Sequence, residues 1–217
     1  REAMFQLGRV LFTLQRWPDT IEVLDAALKR YEGDPRAPEF AARNGLAWQA
    51  LAEDAQEQLL ATPLSTSRQV AINQARQDAL RSAVDGFEMA ISGLDVGGEV
   101  QLDPLQMQLL RASYLRRADS IAELGDYEAA MTHYRDVERR FGEDVTAIEA
   151  LVRMSNLALE FGDFKAARTA TSRATVKLRR LDRRVLRGPA LMDGVASDAL
   201  EKWIALQPPG GREGGLE

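Results

Sequence analysis

Apolar positions along this chain recur at spacings of three and four rather than two, so the pattern predicts helices and no strand. One finer spacing appears four times: a bulky residue, a small one three later, a bulky one four after that, and a small one three further on. The sets are Trp17, Thr20, Leu24, Ala27; Leu80, Ala83, Phe87, Ala90; Tyr127, Ala130, Tyr134, Val137; and Phe164, Ala167, Thr171, Ala174, with Val137 and Thr171 fitting their size class only loosely. Such spacings place all four members on one helix face. There the small residues admit a neighbouring helix and the bulky ones fill the space beside it. A unit of this kind repeated along a chain indicates a solenoid of stacked helices.

Breakers divide the chain into nine expected helices. The first covers about 2–15, and a turn at Arg16 leads into a second that carries Pro18 in its first turn and ends near Tyr31. Gly33-Asp34-Pro35 separates it from a long third helix, about 37–61. The Thr62–Ser67 turn precedes a long fourth ending near Leu94. A loop over about 93–103, containing Gly97-Gly98, leads to a fifth helix from Pro104 to about Leu124. Gly125-Asp126 opens a sixth, ending at Phe141. The seventh and eighth cover about 145–161 and 163–181, and Gly188-Pro189 opens an amphipathic ninth reaching about Leu206. Pro208-Pro209-Gly210-Gly211 begins a stretch, 207–217, that reads as a flexible tail.

Composition narrows the classes. At 217 residues and 45% hydrophobic content, the chain can bury one continuous core. A net charge of −5 argues against whole-protein binding to nucleic acid. The lack of cysteine excludes disulfides, thiolate catalysis and sulfur-ligated zinc. No run of about 18 apolar residues occurs, so no membrane-spanning helix is expected. A soluble protein is expected, and the compartment, periplasmic or cytoplasmic, stays open.

Leu7-Gly8, Leu11, Trp17, Ala27 and Pro35 resemble the tetratricopeptide repeat (TPR). Gly125-Asp126-Tyr127-Glu128-Ala129-Ala130 and Gly162-Asp163-Phe164-Lys165-Ala166-Ala167 resemble it more closely, as the family's Gly-Asp-Tyr turn and following small residue. The likeness runs over about 2–181. Linkers Arg30-Tyr31 through Ala37 and Arg140-Phe141 through Ala147 also resemble those of bacterial cell-envelope members. The implied fold is an all-α, right-handed solenoid of four helix pairs (about 2–35, 36–96, 104–142 and 144–181) with a capping helix at about 189–206, forming one domain over 1–206. Repeats of about 34 residues are usual, yet Thr20, Ala83, Ala130 and Ala167 lie 63, 47 and 37 apart. The excess in the first interval is helical in pattern and predicts a stretched second hairpin, a spur of about 20 Å.

Candidate chemistry is sparse. His133 is the only histidine, so a His-rich metal site or His relay lacks partners, and a half-buried helix-face residue is the plain reading. Acidic residues such as Glu53-Asp54, Glu138 and Glu143-Asp144 fit solvated faces and turn caps. The glycines form neither a Walker loop nor a dinucleotide fingerprint, and no serine has a nucleophile-elbow setting. No catalytic residue, cofactor, metal or small-molecule substrate is expected. Between Lys165 and Arg187 nine basic residues face one Asp182, among them Arg173, Lys177, Arg179, Arg180, Arg183 and Arg184. An exposed terminal helix face explains them, with an acidic partner as the sharper alternative and no aromatics present for nucleic-acid stacking.

In the family the first helix of each pair lines the concave groove. Carried over by position, the lining would include Phe5, Arg9, Phe12, Thr13, Asp119, Glu123, Asn156 and Glu160. The expected function is a non-enzymatic scaffold holding a peptide or protein segment in that groove. Self-association and service as a regulatory domain of a larger enzyme are the alternatives. The first helix is apolar on more than one face (Phe5, Leu7, Val10, Leu11, Phe12, Leu14) and is expected to be covered by an upstream repeat or another chain.

Overall fold

The computed structural model describes residues 2–61, 63–95, 102–142 and 144–181. The expected capping helix, the tail, Gly97-Gly98, Glu143 and the basic residues Arg183, Arg184 and Arg187 lie outside the described residues. Among the described residues the chain is all α, with eight helices: α1 Glu2–Thr13, α2 Trp17–Arg30, α3 Ala37–Ala61, α4 Thr66–Leu94, α5 Pro104–Glu123, α6 Tyr127–Phe141, α7 Val145–Glu160 and α8 Phe164–Arg180. These follow the expected helices to within two residues at most ends.

The caps explain why the chain turns where it does. Asp103 accepts the backbone N–H of Gln106 at 2.8 Å while the Gln106 amide accepts the N–H of Asp103, forming a reciprocal capping box. Asp126, Asp144 and Asp163 accept from Ala129, Thr146 and Ala166 at the starts of α6, α7 and α8. One turn recurs three times. Gly125 and Gly162 stand in left-handed backbone (φ +87° and +76°), and the following Asp126 and Asp163 donate back to Ile121 and Ala158. Between α1 and α2 the same turn is made by Gln15 at φ +57°, with Arg16 donating to Leu11. The Gly-Asp turn is therefore present in all three places as geometry, though only two spell it.

The chain forms two compact units, dividing after Arg140. In the first, the helices pack in chain order, α1 on α2, α2 on α3, α3 on α4 and α4 on α5, and α3 also touches α1 and α5. Tyr134 on α6 donates its hydroxyl to Asp119 on α5 at 2.6 Å. Phe5 lies in a buried cluster with Leu24, Ala27 and Phe40, stacked on Phe40 at 4.0 Å between ring centres. The repeated sets do what their spacing implies: Thr20, Leu24, Ala27, Leu80, Ala83, Phe87, Ala90, Ala130, Tyr134 and Val137 are all buried.

The α3/α4 interface is the longest, and glycines set its closeness. A β-carbon on Gly86 would stand 3.0 Å from the backbone of Gly45, and one on Gly45 would meet the Phe87 ring at 2.8 Å. At 25 and 29 residues, α3 and α4 outrun the other helices among the described residues, as the stretched hairpin requires. Trp48, Ala52, Ala79, Leu80 and Leu124 close the packed part. An ion pair from Arg76 to Glu123 (2.7 Å) fastens α4 to the end of α5 nearby. Beyond that level Glu53–Ala61 continues for about 14 Å, with Leu60 and Val70 more than half exposed.

The second unit contains α7 packed on α8. α7 buries Ile148, Leu151, Met154 and Leu157, and α8 contributes the small residues Ala167, Ala170 and Ala174. Ser155 and Thr171 share a hydroxyl hydrogen bond of 2.8 Å across the pair. Phe164, first member of the last repeated set, is 72% exposed, unlike the members that follow it.

Candidate functional site

The residues expected to line a groove on the first helices have several different fates. Phe5 is 1% exposed, with the Arg36 guanidinium 5.2 Å from its ring centre, so it offers no surface to a ligand. The reason is positional: its face of α1 packs toward α2 and α3. Phe12 is half-buried, edge-on to Trp17 at 5.5 Å. Arg9 and Thr13 are exposed on α1. Asp119 accepts from Tyr134, and Glu123 is held by Arg76, so both tie helices together within the first unit. Burial pushes the Glu123 carboxyl above its ordinary range. Asn156 and Glu160 are exposed on α7 of the second unit.

Of the basic residues, Arg173, Lys177, Arg179 and Arg180 lie on α8. Lys177 donates to the Gly142 carbonyl at 2.8 Å, and Lys177, Arg179 and Arg180 stand in the last turn of the helix. His133 on α6 is half-buried, and burial, with Arg117 nearby, lowers its pKa. Among the described residues no group of three His, Asp or Glu could hold a metal ion, and no helix is long and apolar enough to cross a membrane.

One concavity among the described residues was not foreseen from the sequence. It is a groove of about 660 Å³ in the first unit, walled by α2 and α4, the second helices of the first two pairs, and floored by α3. Leu28, Pro38, Trp48 and Met89 supply apolar surface. Gly86, Gly93, Ser82 and Ser92 keep the α4 wall low. A side chain could not replace Gly93 freely, since its β-carbon would lie 2.2 Å from Pro38. Four carboxylates line the groove, Asp25, Glu32, Asp34 and Asp85, against the single ammonium of Lys29. Asp34 is engaged: one of its oxygens accepts the backbone N–H of Arg36. Among the described residues Glu32 and Asp85 make no ion pair.

Asn44 stands on the α3 side of this groove and is only 5% exposed. Its amide donates to Asp25 at 2.5 Å. A carboxylate only accepts, so this bond fixes which end of the amide is nitrogen. The other end, Oδ1, is a buried acceptor with no hydrogen-bond partner. A buried unsatisfied carbonyl costs about 1–3 kcal/mol, and such a group in a native fold calls for an explanation. The groove did leave a mark in the sequence. Ser82, Gly86, Met89 and Gly93 follow helical spacing on α4, offset from the buried set Leu80, Ala83, Phe87, Ala90. Small residues on a stripe beside the buried one are that signal.

In the first unit the helices pack in chain order and carry this groove, and one turn recurs within the pairs α1/α2, α5/α6 and α7/α8, which defines a repeat-built all-α fold. The tetratricopeptide repeat family model matches residues 2–33 and 112–143. These stretches cover α1 with α2, and the latter part of α5 with α6. The matches support the TPR family for this chain, and none supports the bacterial cell-envelope type. TPR repeats generally mediate protein–protein interaction and serve as non-enzymatic scaffolds. No curated protein matches the chain.

Proposed function

We propose that this protein is a non-enzymatic interaction scaffold whose first unit docks a peptide or protein segment in the groove between α2 and α4. The observation that carries this reading is the groove itself: an apolar floor, polar rims and a buried acceptor left unpaired, the combination that recognition sites present. The first-helix face is the weaker candidate, because Phe5 is buried and Asp119 and Glu123 already serve contacts inside the fold. Panning a random peptide library against the intact chain tests the proposal. Ser92 is exposed on the groove wall, so Ser92→Trp narrows the groove without touching the core. Peptides that bind the parent and lose Ser92→Trp support the reading; peptides indifferent to that change overturn it.

A second reading, self-association, has its own observation. Leu7 and Val10 on α1 and Leu14 just after it are 48–62% exposed, and Leu60 and Val70 on the spur are 77% and 64% exposed. Light scattering across a range of concentrations decides it, since a strictly monomeric chain removes its basis.

A further inference from the structure

The charge and shape of the groove identify what should fill it. We propose that it selects a peptide segment carrying an arginine or lysine, with the cationic head between Asp25 and Asp85 and the aliphatic stem along Trp48 and Met89. This deepens, and rests on, the reading of the groove as a docking site.

Three observations converge. The rims carry an excess of carboxylates, and Glu32 and Asp85 have no ion-pair partner among the described residues. A cationic side chain there gains attraction from this excess of negative charge. The floor is apolar and includes an indole, which suits a long stem ending in a cation: the stem covers apolar surface while the head reaches polar groups, and a guanidinium can also lie over the ring. Finally, Asn44 Oδ1 is an acceptor without a donor. An occupant rich in N–H groups supplies donors where an acidic or purely apolar one supplies none. Anionic ligands are disfavoured by the same carboxylates, so phosphate-bearing and acidic partners fall outside the proposal.

Fluorescence anisotropy on the intact chain tests it with two labelled heptapeptides: acetyl-Ala-Arg-Ala-Leu-Ala-Arg-Ala-amide, and the same peptide with citrulline for each arginine. Citrulline keeps the shape and hydrogen-bonding reach but not the charge. The expected result is binding of the arginine peptide at least about tenfold tighter than the citrulline peptide, weakening as salt rises. Asp85→Lys with Glu32→Lys should lower the arginine peptide's affinity by about tenfold or more. Glu57→Lys, on the exposed spur away from the groove, should change it less than about twofold. Equal losses from the spur and groove reversals would mean diffuse surface attraction and overturn the proposal. Equal binding of the two peptides, both lost in Ser92→Trp, would overturn the cation requirement while leaving the docking site intact. Absence of binding by either peptide, with panned peptides still bound in the groove, would overturn the cation reading alone.

Discussion

The α3/α4 crossing invites a test whose sign is the informative part. Replacing a glycine by alanine inside a helix ordinarily stabilises by about 1 kcal/mol. Gly45 lies inside α3 and is buried, and a β-carbon there would stand 2.8 Å from two atoms of the Phe87 ring and 3.2 Å from the Ala83 carbonyl. Ordinary contact begins near 3.4 Å, so the ring must give by more than half an ångström. Phe87 is 0% exposed, so its ring is enclosed by packed neighbours. Overpacking of this kind costs about 1–3 kcal/mol and outweighs the propensity gain, leaving Gly45→Ala about 1 kcal/mol less stable. That corresponds to roughly 2–4 °C in Tm by calorimetry. Phe87→Leu alone should also destabilise, by opening space. In the double variant the new methyl occupies part of that space, so the two losses should fall short of additivity by about 1 kcal/mol. A Gly45→Ala protein that melts above the parent, or strict additivity in the double variant, would show that the helices do not cross as closely as these distances require.

Three further outcomes follow from the turns and the ion pairs. Gln15→Gly should raise Tm by a few degrees, since the left-handed backbone costs a non-glycine residue about 1–2 kcal/mol and part of that returns even after the added flexibility of the unfolded chain; an unchanged or lower Tm contradicts it. Ala130→Trp should destabilise by about 3 kcal/mol or abolish folding, because Ala130 is 0% exposed on α6, and a variant melting like the parent would show that the face has been misassigned. Hydrogen bonds from Arg140, at 2.8 and 3.0 Å, hold the Asp95 carboxyl below its ordinary value, with the Tyr114 hydroxyl adding to the effect. A depressed folded-state pKa adds stability that is present above about pH 4 and lost as pH falls further. The stability gap between parent and Asp95→Asn, measured by urea denaturation, should therefore shrink below about pH 4, and a constant gap would rule out the ion pair as its source.

Most of the scaffold was legible because it is written in local rules. Breakers and caps fixed the helix ends: Pro104 after Asp103, Asp126 after Gly125 and Asp163 after Gly162 are each visible in one dimension. The repeated sets named the buried face because burial on a helix follows its 3.6-residue period. Two kinds of information were not local. Gln15 adopts a glycine-like backbone with nothing in its chemistry to announce it; the geometry of its neighbours imposes the turn. The partners of Asp119 and Glu123 depend on which helix lies alongside, so their contacts between α5, α6 and α4 could not be read from spacing. The burial of Phe5 was out of reach for a related reason. An aromatic on a first helix can face the ligand side or the neighbouring pair, and here the rings of Tyr31 and Phe40 settle the choice.

The site itself follows from a mismatch between two stripes on one helix. The stripe through Leu80, Ala83, Phe87 and Ala90 turns α4 inward, and repetition of that stripe elsewhere in the chain made it easy to recognise. The stripe through Ser82, Gly86, Met89 and Gly93 occurs on α4 alone. Gly86 has a clear duty in letting α3 approach, and Gly93 in clearing Pro38; Ser82 and Ser92 have no comparable packing role. Asn44 Oδ1, on the α3 side of the same groove, is likewise left without a partner inside the fold, although a satisfied buried acceptor is more stable than an orphaned one. An orphaned acceptor and an excess of carboxylates on one groove are the features the proposed docking site uses, and they lie beside the stripe that local pattern did not single out.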